Sequence, residues 1–257
     1  MKKALRALVI LGFAALLGAS TQAQSQEKIK VLSDSPLQPA LVPIAEAFRR
    51  DSGYEVEFVF GTTSPVVHKK VADGETADVL IIQPSFVAEL MKSGKVVPGE
   101  HPVIGRVGFG LAARADAPAR DIGTVEAFRQ VVLHADALIF NNVASGNYFA
   151  TVLERLNIAE SVKAKVVRLP PAAVFERVIQ GKGNDIGVGT IPLINVTKGL
   201  RLIGPLPAEV QSYIVYVAAP MSGAASPNAG RAFIAFLGSP AAKSLFAANG
   251  VESGTPK

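Results

Sequence analysis

Apolar residues along this chain switch repeatedly between a two-residue period and a 3.6-residue period, the mark of alternating strands and helices. "KIKVLS" reads as a strand, and "PLQPALVPIAEAFRRDSG" then sets Leu41, Ile44, Ala45 and Phe48 on one helical face before Gly53 stops it. "EVEFVF" alternates as a strand. "SPVVHKKVADG" follows as a helix with Ser64 as N-cap, Pro65 at N1 and Gly74 near its end. "ADVLIIQ" is an apolar strand and "PSFVAELMKSG" a helix closing on glycine. Three βα units within about 70 residues predict a mainly parallel sheet.

The pattern then restarts. "VIGRVGFGLAAR" is a long apolar strand interrupted by glycine, after which "VEAFRQVVLHA", "GNYFATVLERLN" and "PAAVFERVIQGKG" read as helices interleaved with the strands "ALIFNN", "KAKVVRL" and "DIGVGT". This second set predicts an α/β unit of its own. "YIVYVAA" adds one more apolar strand, and the closing helical stretches "NAGRAFIAFLGS" and "PAAKSLFAANG" are expected to pack back on the first unit. No internal repeat interrupts the series.

The first 23 residues stand outside this scheme. "MKKALR" is a positive n-region, "ALVILGFAALLGA" an apolar h-region short for a bilayer span, and "TQA" a small-residue cleavage site ending at Ala23. Export to the periplasm by a cleaved signal peptide is therefore expected. The chain has no cysteine, which excludes disulfides, a catalytic thiol and a lipid-modified cysteine at the cleavage point. Loss of Lys2, Lys3 and Arg6 with the leader lowers the formal charge from +5 by three, so the mature chain carries no basic footprint for nucleic acid. His68, His101 and His134 lie far apart in sequence, and neither a metal nor a cofactor is expected.

Four joints between a strand and a helix share small hydroxyl or amide residues: Ser33-Asp34-Ser35, Gly61-Thr62-Thr63-Ser64, Asn141 through Asn147, and Gly187-Val188-Gly189-Thr190. Singly, each serves as ordinary capping. Together, two in each unit, they predict a cleft between two α/β units lined by hydroxyls and helix amino termini, suited to a small anion held without a full countercharge.

The order "VLSDSPLQPAL", "FVFGTTSPVV", "ADVLI", "ASGNYFATVLERL", "GKGNDIGVGT" resembles the periplasmic molybdate-binding proteins among the bacterial extracellular solute-binding proteins that serve ABC importers. The likeness covers nearly the whole mature chain. It implies a type II, flytrap-like periplasmic binding protein of two α/β lobes, each a mainly parallel sheet flanked by helices. Residues 24–108 and 213–257 would form one lobe and 109–212 the other. It also implies a monomer that binds a small anionic ligand and hands it to an inner-membrane ABC permease. Thr62 and Thr63 stand where the family has paired serines. Ser145, followed by Gly146, Asn147 and Tyr148, maps onto a segment whose backbone N–H binds the oxyanion, and Ala172 falls where another backbone donor is expected. Asn142 lies in the same joint. Pro36 and Thr190 depart from the pattern, replacing a serine and a tyrosine, and two lost hydroxyl contacts turn the expectation from molybdate toward an organic carboxylate.

Two charged residues push the same way. Asp34 repels a dianion if it faces the cleft, while Arg106, at the expected crossover in "VIGRVGFG", is placed to clamp a carboxylate bidentately. The family also contains a relative with a different activity, aconitate isomerase, a periplasmic enzyme that interconverts the cis and trans isomers of a tricarboxylate. If this chain acts likewise, Asp34 and His68 are the candidates for moving the proton.

Overall fold

The computed structural model describes residues 27–254. The leader expected over residues 1–23 lies outside them. The chain runs β1 (Lys28–Asp34), α1 (Gln38–Ser52), β2 (Glu55–Gly61), α2 (Ser64–Ala72), β3 (Val79–Ile82), α3 (Pro84–Lys92) and then the long β4 (Val103–Arg114). It continues through α4 (Val125–Leu133), β5 (Ala137–Asn141), α5 (Ala144–Arg155), α6 (Ala159–Val162), β6 (Val166–Leu169), α7 (Pro171–Gln180), β7 (Asp185–Thr190), α8 (Ile191–Val196) and β8 (Leu200–Pro205). β9 (Tyr213–Pro220), α9 (Pro227–Leu237), α10 (Pro240–Ala248) and the two-residue β10 (Val251–Glu252) complete it.

Strand order is β2-β1-β3-β9-β4-β7-β5-β6, with β8 and β10 also paired to β4. The result is a two-lobed α/β fold. One lobe is built on the parallel triplet β2-β1-β3 and the other on the parallel triplet β7-β5-β6. Antiparallel strands extend both. β9 closes on β3 and on the first half of β4, whereas the second half of β4 pairs with β7 and β8. One strand thus serves both sheets. The register changes partner between Gly108 and Phe109, where the Gln211 side chain accepts from the Phe109 N–H at 3.0 Å and donates to its carbonyl at 2.9 Å. A buried backbone left without a strand neighbour would be costly, and this amide supplies both partners.

The helical stripe read from the sequence is the buried face of α1: Leu41, Ile44 and Phe48 pack with Phe233, Leu237 and Phe246 of α9 and α10 in one core. The two last helices do return to the first lobe. Its opposite face is covered by α2 and α3, through Val67, Val71, Val87 and Leu90. In the second lobe Phe128, Phe140 and Phe149 form edge-to-face contacts beneath α4 and α5, and Val174 and Val178 of α7 cover the other side. Gly53 ends α1 in the left-handed conformation at φ 82°, which glycine adopts without steric cost.

Four details differ from the sequence reading, one being the short α6, which forms at Ala159–Val162 where no element is expected. The N-cap of α2 is Thr63, and Ser64 is its first helical residue. The stretch from Ile191 to Pro205, given no element above, forms α8 and β8. β10, unanticipated, adds an antiparallel strand beside β4.

Candidate functional site

Because β1, β2 and β3 run parallel, their carboxyl ends share one edge, and so do those of β5, β6 and β7. At that edge a cavity of about 290 Å³ opens between the lobes, near the lower end of ligand pockets at roughly 300 Å³. All four polar joints contribute to its wall: Asp34, then Thr62, Thr63 and Ser64, then Asn141 and Ser145, then Gly189 and Thr190. Two further joints add Gln83 and Ser85 ahead of and within α3, and Pro171 at the start of α7.

Helices α2, α3, α5 and α7 all begin at this wall, and none of their N-cap side chains closes its own first turn, although in α5 the Asn141 side chain accepts from the Gly146 N–H. α4 and α10, whose caps Thr124 and Ser239 accept from the helix N–H groups, both start elsewhere. The partial positive charge of four helix ends therefore faces one space. Among the described residues, no lysine, arginine or histidine lines it. The rest of the wall is apolar, with Phe86, Val174, Phe175, Val188, Leu193 and Ile214.

Asp34 is the one carboxylate among the described residues that line the cavity, and it is 2 % exposed. The Ser64 hydroxyl donates to its Oδ2 at 2.6 Å and itself accepts from the Gln83 N–H at 3.1 Å, which ties β1, α2 and α3 together. Oδ1 has no hydrogen-bond partner. Burial raises the carboxyl from 3.8 to about 7, against the lowering pull of the Ser64 and Tyr216 hydroxyls and the Ser64 N–H. Tyr216 is fully buried in β9, and burial beside Asp34 pushes its phenol well above the ordinary tyrosine range. The two groups lie within each other's field without hydrogen-bond geometry, since the Tyr216 hydroxyl is itself unpartnered. Thr190 Oγ1 is a third unpartnered polar atom of the wall.

Of the residues nominated from sequence, Asp34, Thr62, Thr63, Ser145 and Thr190 line this cavity. The others lie outside its wall. Ser33 shares the face of β1 occupied by Ile29 and Val31, as strand alternation requires. Ser35 donates to the Gly61 carbonyl at 2.9 Å and so braces the first joint against the second. Asn142 and Ala172 are exposed. Gly146 is held by Asn141, whose Oδ1 accepts from its N–H at 2.9 Å while Nδ2 donates to Ser145 Oγ at 2.7 Å. The Asn147 amide oxygen takes a bond from Arg168. The Tyr148 hydroxyl donates to the Val210 carbonyl at 3.0 Å.

Arg106 requires a correction. β10 pairs Glu252 directly with Arg106, so the guanidinium binds that carboxylate at 2.8 and 3.1 Å and lies 4.0 Å over the Tyr213 ring. It does not reach the cavity. His68 is likewise turned aside, with Nε2 3.2 Å from Glu89 and its ring against Phe86. Sequence reasoning missed Ser64 as a bridge and Tyr216 altogether. A hydroxyl in the middle of the apolar run "YIVYVAA" was the available signal, because a buried tyrosine ordinarily needs a partner.

The chain belongs to the bacterial extracellular solute-binding proteins, whose family model matches residues 29–252. It is 28% identical over 240 residues to the aconitate isomerase of a Pseudomonas species, covering 90% of this chain and 91% of that one. Among solved structures it is similar to the periplasmic molybdate-binding protein of Azotobacter vinelandii, with 17% identity, a TM-score of 0.71, and 89% and 100% of the two chains covered. L-phospholactate-bound PEB3, a protein of Campylobacter jejuni, shares the fold at 13% identity and a TM-score of 0.66, over 88% of this chain and 99% of that one.

Proposed function

We propose that this chain is a periplasmic carrier that captures a small organic carboxylate in the interlobe cavity and delivers it to an ABC importer of the inner membrane. The observation that carries this reading is the convergence of four helix amino termini on one cavity that no cationic side chain lines among the described residues. Such ends bind anions through N–H groups and the helix dipole. Phe86, Phe175, Val188 and Leu193 favour a ligand with a carbon skeleton, for which an inorganic tetrahedral oxyanion has no use. PEB3 with L-phospholactate bound is a carboxylated example on this fold. In this reading residues 24–108 with 213–257 and residues 109–212 move as lobes about the β4 crossing at Phe109 and the return at Gln211, and closure completes the hydrogen-bond shell.

A second reading is favoured by one observation, the Asp34 carboxyl titrating at about 7 inside the cavity. A group poised there is suited to take a proton from carbon and return it, and the Pseudomonas relative is an aconitate isomerase. In that case Asp34 removes a proton from the methylene carbon of aconitate, the double bond shifts, and the proton returns at the former alkene carbon.

One experiment addresses both. Purified full chain is screened by thermal shift against di- and tricarboxylates, sulfate and molybdate, where an anion at 100 times its Kd adds about 2.7 kcal/mol. The stabilising carboxylates, and cis- and trans-aconitate in any case, are then incubated with protein in deuterated water and followed by NMR. Stabilisation without isomerisation or deuterium uptake supports the carrier; conversion that Asp34→Asn abolishes supports the isomerase. Stabilisation by molybdate alone refutes both.

A further inference from the structure

The cavity contains a contradiction that the anion-site reading leaves standing. It gathers helix amino termini suited to negative charge, yet the one acidic side chain in its wall is Asp34, and no basic side chain among the described residues lines it to offset a second negative charge. An anion and an ionised carboxylate in the same enclosed space repel strongly, because the low-dielectric surroundings screen them little.

We propose that the cavity takes its anion together with one proton, which Asp34 carries on Oδ1. The inference rests on the anion-site reading above. Oδ2 is occupied by the Ser64 hydroxyl at 2.6 Å, which donates and so leaves no need for a proton on that oxygen. Oδ1 is buried and unpartnered, on a side chain that lines the cavity. A carboxylate oxygen can only accept, whereas a protonated one donates. With its proton on Oδ1, Asp34 stops repelling the anion and becomes one of its donors.

The groups that bear on Asp34 agree with this. From α2 they are the Ser64 hydroxyl and N–H, and from β9 the Tyr216 hydroxyl; no lysine, arginine or histidine is among them. Tyr216 stays neutral, its phenol being pushed well above the ordinary range, so it neither supplies nor removes charge. Burial already holds the empty site near an even balance of its two forms at neutral pH. A bound anion shifts the balance further toward the protonated form.

The test is isothermal titration calorimetry of the full chain with trans-aconitate, sulfate and molybdate, between pH 6 and 9, in pairs of buffers that differ in ionisation heat. Carboxyl groups of the probe titrate near ~4, so the probe itself is not the source of a proton change at alkaline pH. The expected result at pH 8 is uptake of close to one proton per anion bound, with affinity falling about tenfold per pH unit above 8. Asp34→Asn is expected to bind with no proton uptake and no such slope, and more tightly than wild type at pH 9. Binding by wild type with no proton uptake and flat affinity overturns the proposal while leaving the anion site intact. Retention of uptake and slope in Asp34→Asn overturns it too. If none of the three anions binds at any pH, the anion-site reading falls and takes the proposal with it. The wild-type proton count stands by itself should the variant fail to fold.

Discussion

Replacing Asp34 by asparagine should make the empty protein more stable at alkaline pH, the reverse of what removing a hydrogen-bonded buried side chain ordinarily does. In the unfolded chain this carboxyl titrates near 3.8, and in the fold burial moves it to about 7. Between those values the folded chain holds a proton that the unfolded chain has released. The stability contributed by this group is therefore fully present below about pH 4, falls as pH rises through the interval, and is gone above about pH 7. The separation of the two values corresponds to about 4 kcal/mol, at about 1.4 kcal/mol per pH unit. Asparagine keeps an oxygen to accept from Ser64 and cannot ionise, so it never incurs this cost. Urea denaturation of both chains at intervals from pH 4 to 9 checks this, because subtracting one curve from the other removes every titration they share. The difference should swing by several kcal/mol toward the variant and level off near pH 8. Parallel curves, or a variant that loses ground as pH rises, would refute the reasoning.

Other consequences follow from single contacts. Gly146→Ala should cost more than ~3 kcal/mol in the same urea assay, beyond ordinary overpacking, because its Cβ would lie 1.8 Å from the Asn141 carbonyl oxygen and α5 could not close on β5. Arg106→Lys should leave anion affinity within about twofold by calorimetry and change stability by less than ~1 kcal/mol, the usual worth of a surface ion pair, since its partner is Glu252. Thr190→Val should weaken the anion by ~0.5–1.5 kcal/mol with little change in stability, because its hydroxyl has no partner in the empty site.

What could be read from the chain, and what could not, divides along physical lines. The face of α1 was legible because Leu41, Ile44, Ala45 and Phe48 recur at helical spacing over about two turns, between a proline-rich start and a glycine stop. The convergence of the polar joints was legible because parallel strands put all their carboxyl ends on one edge, whatever the packing details. Arg106 was misplaced because its direction depends on a two-residue strand, Val251–Glu252, too short to leave any periodic trace. Tyr216 was missed for a related reason. β9 runs antiparallel to β3, with Val217 opposite Ile82, so its amino-terminal half reaches the edge where parallel strands end. The second hydroxyl of "YIVYVAA" marks Tyr216 as a group that needs a partner, but only the pairing reveals which edge it reaches. α8 and β8 escaped because a six-residue helix and a half-buried edge strand each carry too few apolar positions for a period to emerge.

One cavity, walled by helix amino termini from both lobes, is proposed to hold the ligand. That placement is tested most directly by a crystal structure of the full chain grown with the anion that gives the largest thermal shift. Electron density for that anion is expected between the lobes, within hydrogen-bond reach of Thr63 on one side and Ser145 on the other, with Asp34 Oδ1 against one of its oxygens. Density for the anion anywhere else, with this cavity holding only water, would contradict it.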